Sequence, residues 1–127
     1  MFETTCLDEN GNTVYSMTQY DTGQKLILEL SNITFSSAPE IHFCNRLSKQ
    51  SLPVQSTLSN NQIIANIPNI LLEQPYPLIA YVCATEANNT SCKKTVSCIK
   101  IPINKRIPPS EYNSSQDDII NAEEVRY

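Results

Sequence analysis

Apolar and polar positions alternate along this chain in short runs bounded by turn residues, and the pattern predicts strands almost throughout. "TVYSMT" (13–18) is the first, after the turn signal "DENGN". "QKLILEL" (24–30) places Leu26, Leu28 and Leu30 on one face and follows "YDTG", where Gly23 supplies a permissive φ. "PEIHFCN" (39–45) puts Ile41 and Phe43 on one face and His42 and Cys44 on the other. "PVQSTL" (53–58) and "QIIANI" (62–67) flank "SNN", a hairpin connection because Asn tolerates the left-handed region. "LIAYVCA" (78–84) is nearly all apolar, as expected of a central strand covered on both faces. "TVSCIKIPI" (95–103) alternates Val96 and Cys98 with Ser97 and Ile99, and its Pro102 breaks the ladder at an edge or a strand end.

Two segments carry helical signals, "NILLEQ" (69–74) and "DDIINAEEVR" (117–126). The first is confined between Pro68 and Pro75 to one turn, with Asn69 as its cap and Leu71 and Leu72 as a plug for one end of a core. Seven short strands without crossover helices predict an all-β fold, an antiparallel immunoglobulin-like β-sandwich with an extended C-terminal tail. Tyr81, two residues before Cys83 after the "PYP" crossing, matches the corner tyrosine of such sandwiches. The chain has no Trp, and "KLILEL" lacks a partner Cys, so the antibody disulfide is not expected. The expected core is Leu26, Leu28, Leu30, Ile41, Phe43, Ile64, Ile67, Leu71, Ile79, Tyr81, Cys83, Val96 and Cys98.

The 127 residues suffice for one modest core. A net charge of −4 argues against non-specific nucleic-acid binding, although Lys93, Lys94, Lys100, Lys105 and Arg106 gather late and read as a solvated strand face. No apolar run reaches the roughly 20 residues that span a bilayer. "MFETTCLDENGNTVY" has neither the basic nor the apolar region of a signal peptide, so the chain is expected to begin in a cytosol. The triplets at Asn32, Asn88, Asn89 and Asn113 then carry no glycosylation meaning. Five cysteines without C-x-x-C spacing, beside the single histidine His42, do not suggest zinc. They are expected as free thiols in a reducing compartment, although pairing of Cys83 or Cys92 with Cys98 stays geometrically open. The two glycines lie in turns, so no phosphate-cradling loop exists. His42 lies mid-strand, and the carboxylates form no convergent pair in the sequence. No enzyme, no cofactor and no metal are expected, the turn "DENGN" included.

The segments "TQYDTGQKLILEL", "APEIHFCNRLSKQSLPVQ", "NIPNILLEQPYPLIAYVC" and "KIPINKRIPPSEY" resemble a small N-terminal domain of virion proteins from phages and prophages of Gram-positive bacteria. That domain is found with tail, baseplate or fibre proteins, and the likeness covers roughly residues 13–112. The resemblance implies a structural component of the virion, made in the bacterial cytoplasm, most simply a capsid decoration or head-fibre-type protein. A tail, baseplate or fibre adaptor is the alternative. The expected partners are other phage structural proteins, capsid or tail subunits, and further copies of the chain, without nucleic acid or membrane. A glycan- or host-surface-binding module is a second alternative, with Tyr15, Tyr20, Tyr76 and Tyr112 available to stack on sugars. The chain divides into a sandwich, 1–106, and an acidic arm, 107–127, which Pro108 and Pro109 hold extended at its start. Tyr112, Ile119, Ile120, Val125 and Tyr127 are the arm's expected partner-binding residues.

Overall fold

The computed structural model describes residues 4–30, 35–60, 62–84 and 94–110. It is all-β. The strands are β1 (Thr4–Leu7), β2 (Met17–Thr18), β3 (Lys25–Leu30), β4 (Glu40–Cys44), β5 (Leu52–Gln55), β6 (Thr57–Ser59), β7 (Gln62–Asn66), β8 (Leu78–Ala84), β9 (Lys94–Ile101) and β10 (Ile103–Asn104). Two four-strand antiparallel sheets, ordered β1-β3-β7-β6 and β5-β4-β8-β9, pack as a sandwich, and β10 pairs with β2 in parallel.

Three differences from the seven expected strands have local causes. β1 lies in "TTCL", too short and too polar to read as a strand, yet Cys6 enters the core. The expected strand 13–18 shrinks to Met17–Thr18, because the chain first closes a turn around Asp8. Asp8 Oδ1 accepts from the Asn10 and Asn12 amides at 2.8 and 2.9 Å, and Gly11, at φ +83°, donates its N–H to the Asp8 carbonyl. The expected strand 53–58 breaks at Ser56, whose amide and hydroxyl both donate to the Pro39 carbonyl. There the chain changes sheets: β5 pairs with β4, while β6 pairs with β7. Pro102 interrupts the last strand as expected, separating β9 from β10.

The core joins the inner faces of both sheets. Leu26 and Leu28 of β3 and Ile41 and Phe43 of β4 are fully buried, as their alternation predicts. In β7 and β8 the expected faces were inverted. Ile63 and Ala65 face inward and Ile64 is half-buried; Leu78, Ala80 and Val82 face inward, leaving Ile79 and Tyr81 half-buried on the other side. Register is the reason, because residues directly opposite each other share a face. Leu26 stands opposite Ala65 and Leu28 opposite Ile63; Ile41 stands opposite Val82 and Phe43 opposite Ala80. Large residues meet small ones at Leu26–Ala65 and Phe43–Ala80, which lets the layers close without strain.

The same logic moves Cys98 outward, since it pairs with outward-facing Tyr81 and is exposed. A bulge resets the phase nearby. Val82 pairs with Ser97 but Cys83 with Thr95, so Val96 is the extra residue. Across it Val82 and Cys83 are both buried, as are Val96 and Ser97. Ile67 and Leu71 join the core as expected, and the side chain of Leu30 lies outside the described set.

A single-turn 3-10 helix, Asn69–Leu72, crosses between the sheets and buries Leu71 and Leu72. Asn69 does not cap it. Its Oδ1 instead accepts the amide of Gly23, at φ +65°, and so joins the turn before β3 to the crossing.

Candidate functional site

Gln19 ties together the end of the sandwich from which the C-terminus leaves. It follows β2 directly and is only 8% exposed. Its amide N–H donates to the Asn104 carbonyl (2.8 Å) and its Nε2 to the Glu73 carbonyl (2.7 Å). Its Oε1 accepts the Arg106 amide at 3.2 Å. One buried carboxamide, with both ends bonded, thus holds the crossing segment and the exit strand to β2. Bonds from the Met17 amide to the Pro102 carbonyl and from the Tyr20 amide to the Leu72 carbonyl reinforce the joint. Nothing in the sequence singled Gln19 out, because an isolated glutamine after a two-residue strand carries no pattern.

Just beyond Arg106, Ile107 is 83% exposed and Pro109 is half-buried. Tyr112, Ile119, Ile120, Val125 and Tyr127, the expected partner-binding residues, lie outside the described residues, as does the helical signal at 117–126.

The outward face of the second sheet carries the chain's one imidazole. Period-two geometry puts Glu40 and His42 on the same side of β4, and His42 Nε2 lies 2.7 Å from Glu40 Oε1. Ser51, just before β5, brings its Oγ to 3.3 Å from His42 Nδ1. The Glu40 contact was readable from strand spacing; the Ser51 contact depends on the β4–β5 loop. A neutral ring with its proton on Nε2 satisfies both contacts, donating to the carboxylate and accepting from the hydroxyl. The order serine, histidine, glutamate is that of a nucleophile, base and orienting acid. The His42 and Glu40 side chains are largely covered, at 22% and 18% exposure, and a cleft of about 420 Å³ lies elsewhere, lined by Leu7, Asp8, Val14, Met17, Lys25 and Ile27 among others. The arrangement orients the Ser51 hydroxyl toward the ring.

The thiols differ sharply in environment. Cys6, Cys44 and Cys98 are free, whereas Cys83 is in a disulfide, which corrects the expectation of five free thiols and removes both pairings with Cys98. That expectation rested on compartment and count, neither of which reports local geometry. Cys92 lies outside the described residues. Burial pushes the Cys6 thiol up to about 11, against a smaller lowering by its hydrogen bond with the Ile27 backbone. Cys44 is raised by burial and then by the negative charge of a Cys98 thiolate.

Among the tyrosines, Tyr15 is 80% exposed, Tyr20 is half-buried at φ 70°, and Tyr76 lies under the Arg46 guanidinium at 4.8 Å. Tyr81 lies opposite His42 and Cys98 on the outer face rather than in the core. Among the described residues no cluster of three or more His, Cys, Asp or Glu could hold a metal ion. Asp8 Oδ1 accepts two amides of its own turn.

Compared with known proteins, the chain matches no family model, no curated protein and no solved structure.

Proposed function

We propose that this chain is a non-enzymatic structural protein of a phage particle, an immunoglobulin-like accessory module that docks on the capsid as a decoration or head-fibre-type protein. The strand order supports the immunoglobulin-like part. Reading β1, β3, β4, β5, β6, β7, β8 and β9 as A, B, C, C′, D, E, F and G gives A-B-E-D on one sheet and C′-C-F-G on the other. β2 adds a short parallel pairing at the end of the last strand.

The observation that carries the docking role is the clipped exit. A rigid sandwich holds its chain through Gln19 as far as Arg106 and then releases it through exposed Ile107 and Pro108 and half-buried Pro109 toward an acidic segment with a small apolar set. Such a segment buries too little apolar surface to offset roughly 1–2 kcal/mol per residue of backbone ordering by itself, and gains order against a neighbour. The resemblance of residues 13–112 to phage and prophage virion domains supplies the particle.

Mass spectrometry of purified particles tests the reading, with the chain expected at stoichiometric abundance; its absence from particles sinks it. Imaging particles from a deletion mutant then separates capsid from tail. A chain truncated after Pro109 is expected to fold and to lose its place on the particle. Wild-type occupancy of that truncated form would show that the arm is not the anchor.

A further inference from the structure

We infer that the cleft between the Asp8 turn and the start of β3 binds a neutral sugar ring. The inference goes beyond the docking role and does not rest on it.

The volume of the cleft, about 420 Å³, lies in the range of small-molecule sites, about 300–1,000 Å³. Its two walls come from segments that the fold already holds. On one side the Asp8 amide donates to the Asn12 carbonyl and the Val14 amide to the Cys6 carbonyl, both at 2.8 Å. These bonds add to the two that Asp8 Oδ1 accepts within the turn. On the other side Gly23 is fixed by its bond to buried Asn69, and β3 begins two residues later. Walls ordered before binding cost a ligand no further ordering. Leu7, Val14, Met17 and Ile27 give the cleft an apolar part, with Ile27 only 8% exposed.

The polar residues decide the class of ligand. Asp8, Asn10, Ser16, Gln24 and Lys25 all line the cleft. Among the described residues each keeps hydrogen-bonding capacity. The Asp8 side chain bonds through Oδ1 alone and the Gln24 side chain through Nε2 alone, while the Asn10 and Lys25 side chains make no bond. Ser16 Oγ accepts from Asn104 Nδ2 and keeps its own proton to donate. Acceptors and donors therefore stand side by side. A hydroxyl both donates and accepts, so a ring carrying several of them satisfies such a mixed set. A purely apolar ligand would leave these groups without partners. An anion would meet the Asp8 and Glu9 carboxylates, and a cation would meet the Lys25 ammonium, which forms no ion pair among the described residues. A neutral ligand avoids both repulsions. No tyrosine lines the cleft, so the C–H faces of the ring rest on aliphatic side chains rather than on an aromatic one.

Titration of isotope-labelled full-length protein with glucose, galactose, mannose and N-acetylglucosamine, followed by its amide resonances, tests this. At least one of these rings is expected to saturate the protein with a Kd of about 1 mM, the affinity that small-ligand efficiency gives about twelve non-hydrogen atoms. The shifts are expected to gather in 7–17 and 23–27. Q24A/K25A, on the β3 wall, should weaken binding at least about tenfold, and N10A, in the exposed turn, about threefold or more. Spectra that match wild type outside the cleft keep unfolding from imitating the loss. Tighter binding of a longer chain of the same unit assigns the cleft to a surface glycan, and equal binding to a free sugar; either keeps the inference. The absence of any saturable shift with these rings overturns it. So do shifts gathered elsewhere, inorganic phosphate acting on the same amides with equal affinity, or Q24A/K25A and N10A both binding like wild type.

Discussion

Ile63 and Ile64 are neighbours in β7 with identical chemistry, and the face each takes in the sheet distinguishes them. Ile63 is 1% exposed opposite fully buried Leu28, while Ile64 is half-buried opposite Ile27. Truncating either to alanine removes three carbons and the same β-branched preference, so strand propensity cancels between the variants. At about 0.8 kcal/mol per buried carbon, Ile63→Ala loses roughly 2.4 kcal/mol of transfer free energy. The cavity left between two sheets adds to this, giving a total of about 2–5 kcal/mol. Ile64→Ala loses about half the transfer term and leaves no enclosed void, so its cost is about 1 kcal/mol. Urea titration followed by fluorescence or circular dichroism gives both values, and the thermal midpoints should differ by several degrees, at about 3–6 °C per kcal/mol. Equal costs, or a larger cost at Ile64, would refute the register and with it the inward face of β7.

Three further outcomes follow from other parts of the fold. Protein denatured without reductant is expected to show three reactive thiols, and in the native state Cys98 labels first, Cys44 slowly and Cys6 last; five thiols would remove the disulfide at Cys83. Because folding holds Cys6 protonated up to about 11 while the unfolded thiol ionises near 9, its contribution is intact below pH 9 and declines as pH rises toward 11. The difference between wild type and Cys6→Ala should therefore shift by about 2–3 kcal/mol across that window, and a flat difference would contradict the burial of Cys6. Gln19→Ala leaves the Glu73 carbonyl and the Arg106 amide without this partner, at a cost of about 1–3 kcal/mol, and hydrogen exchange at the Arg106 amide should accelerate; unchanged exchange would show that the clip does not hold the exit.

The strand character of this protein, its turns at Gly11 and Gly23, and the inward faces of β3 and β4 are legible in its residues alone. "KLILEL" and "EIHFC" contain polar positions, Glu29, Glu40 and His42, that mark which side faces water. "QIIANI" carries them too, Gln62 and Asn66 on the face of Ile64, whereas "LIAYVCA" does not, for either of its faces is apolar enough to be buried. In β8 the phase came from outside the strand, from Phe43 opposite Ala80 and Ile41 opposite Val82. The bulge at Val96, the change of sheet at Ser56 and the bonds of Gln19 were likewise decided by partners far away in the chain. Alternation is a local property and can specify a strand. Which face is buried, where a ladder slips and what a buried amide bonds are properties of pairs, and pairs exist only once the sheets have closed.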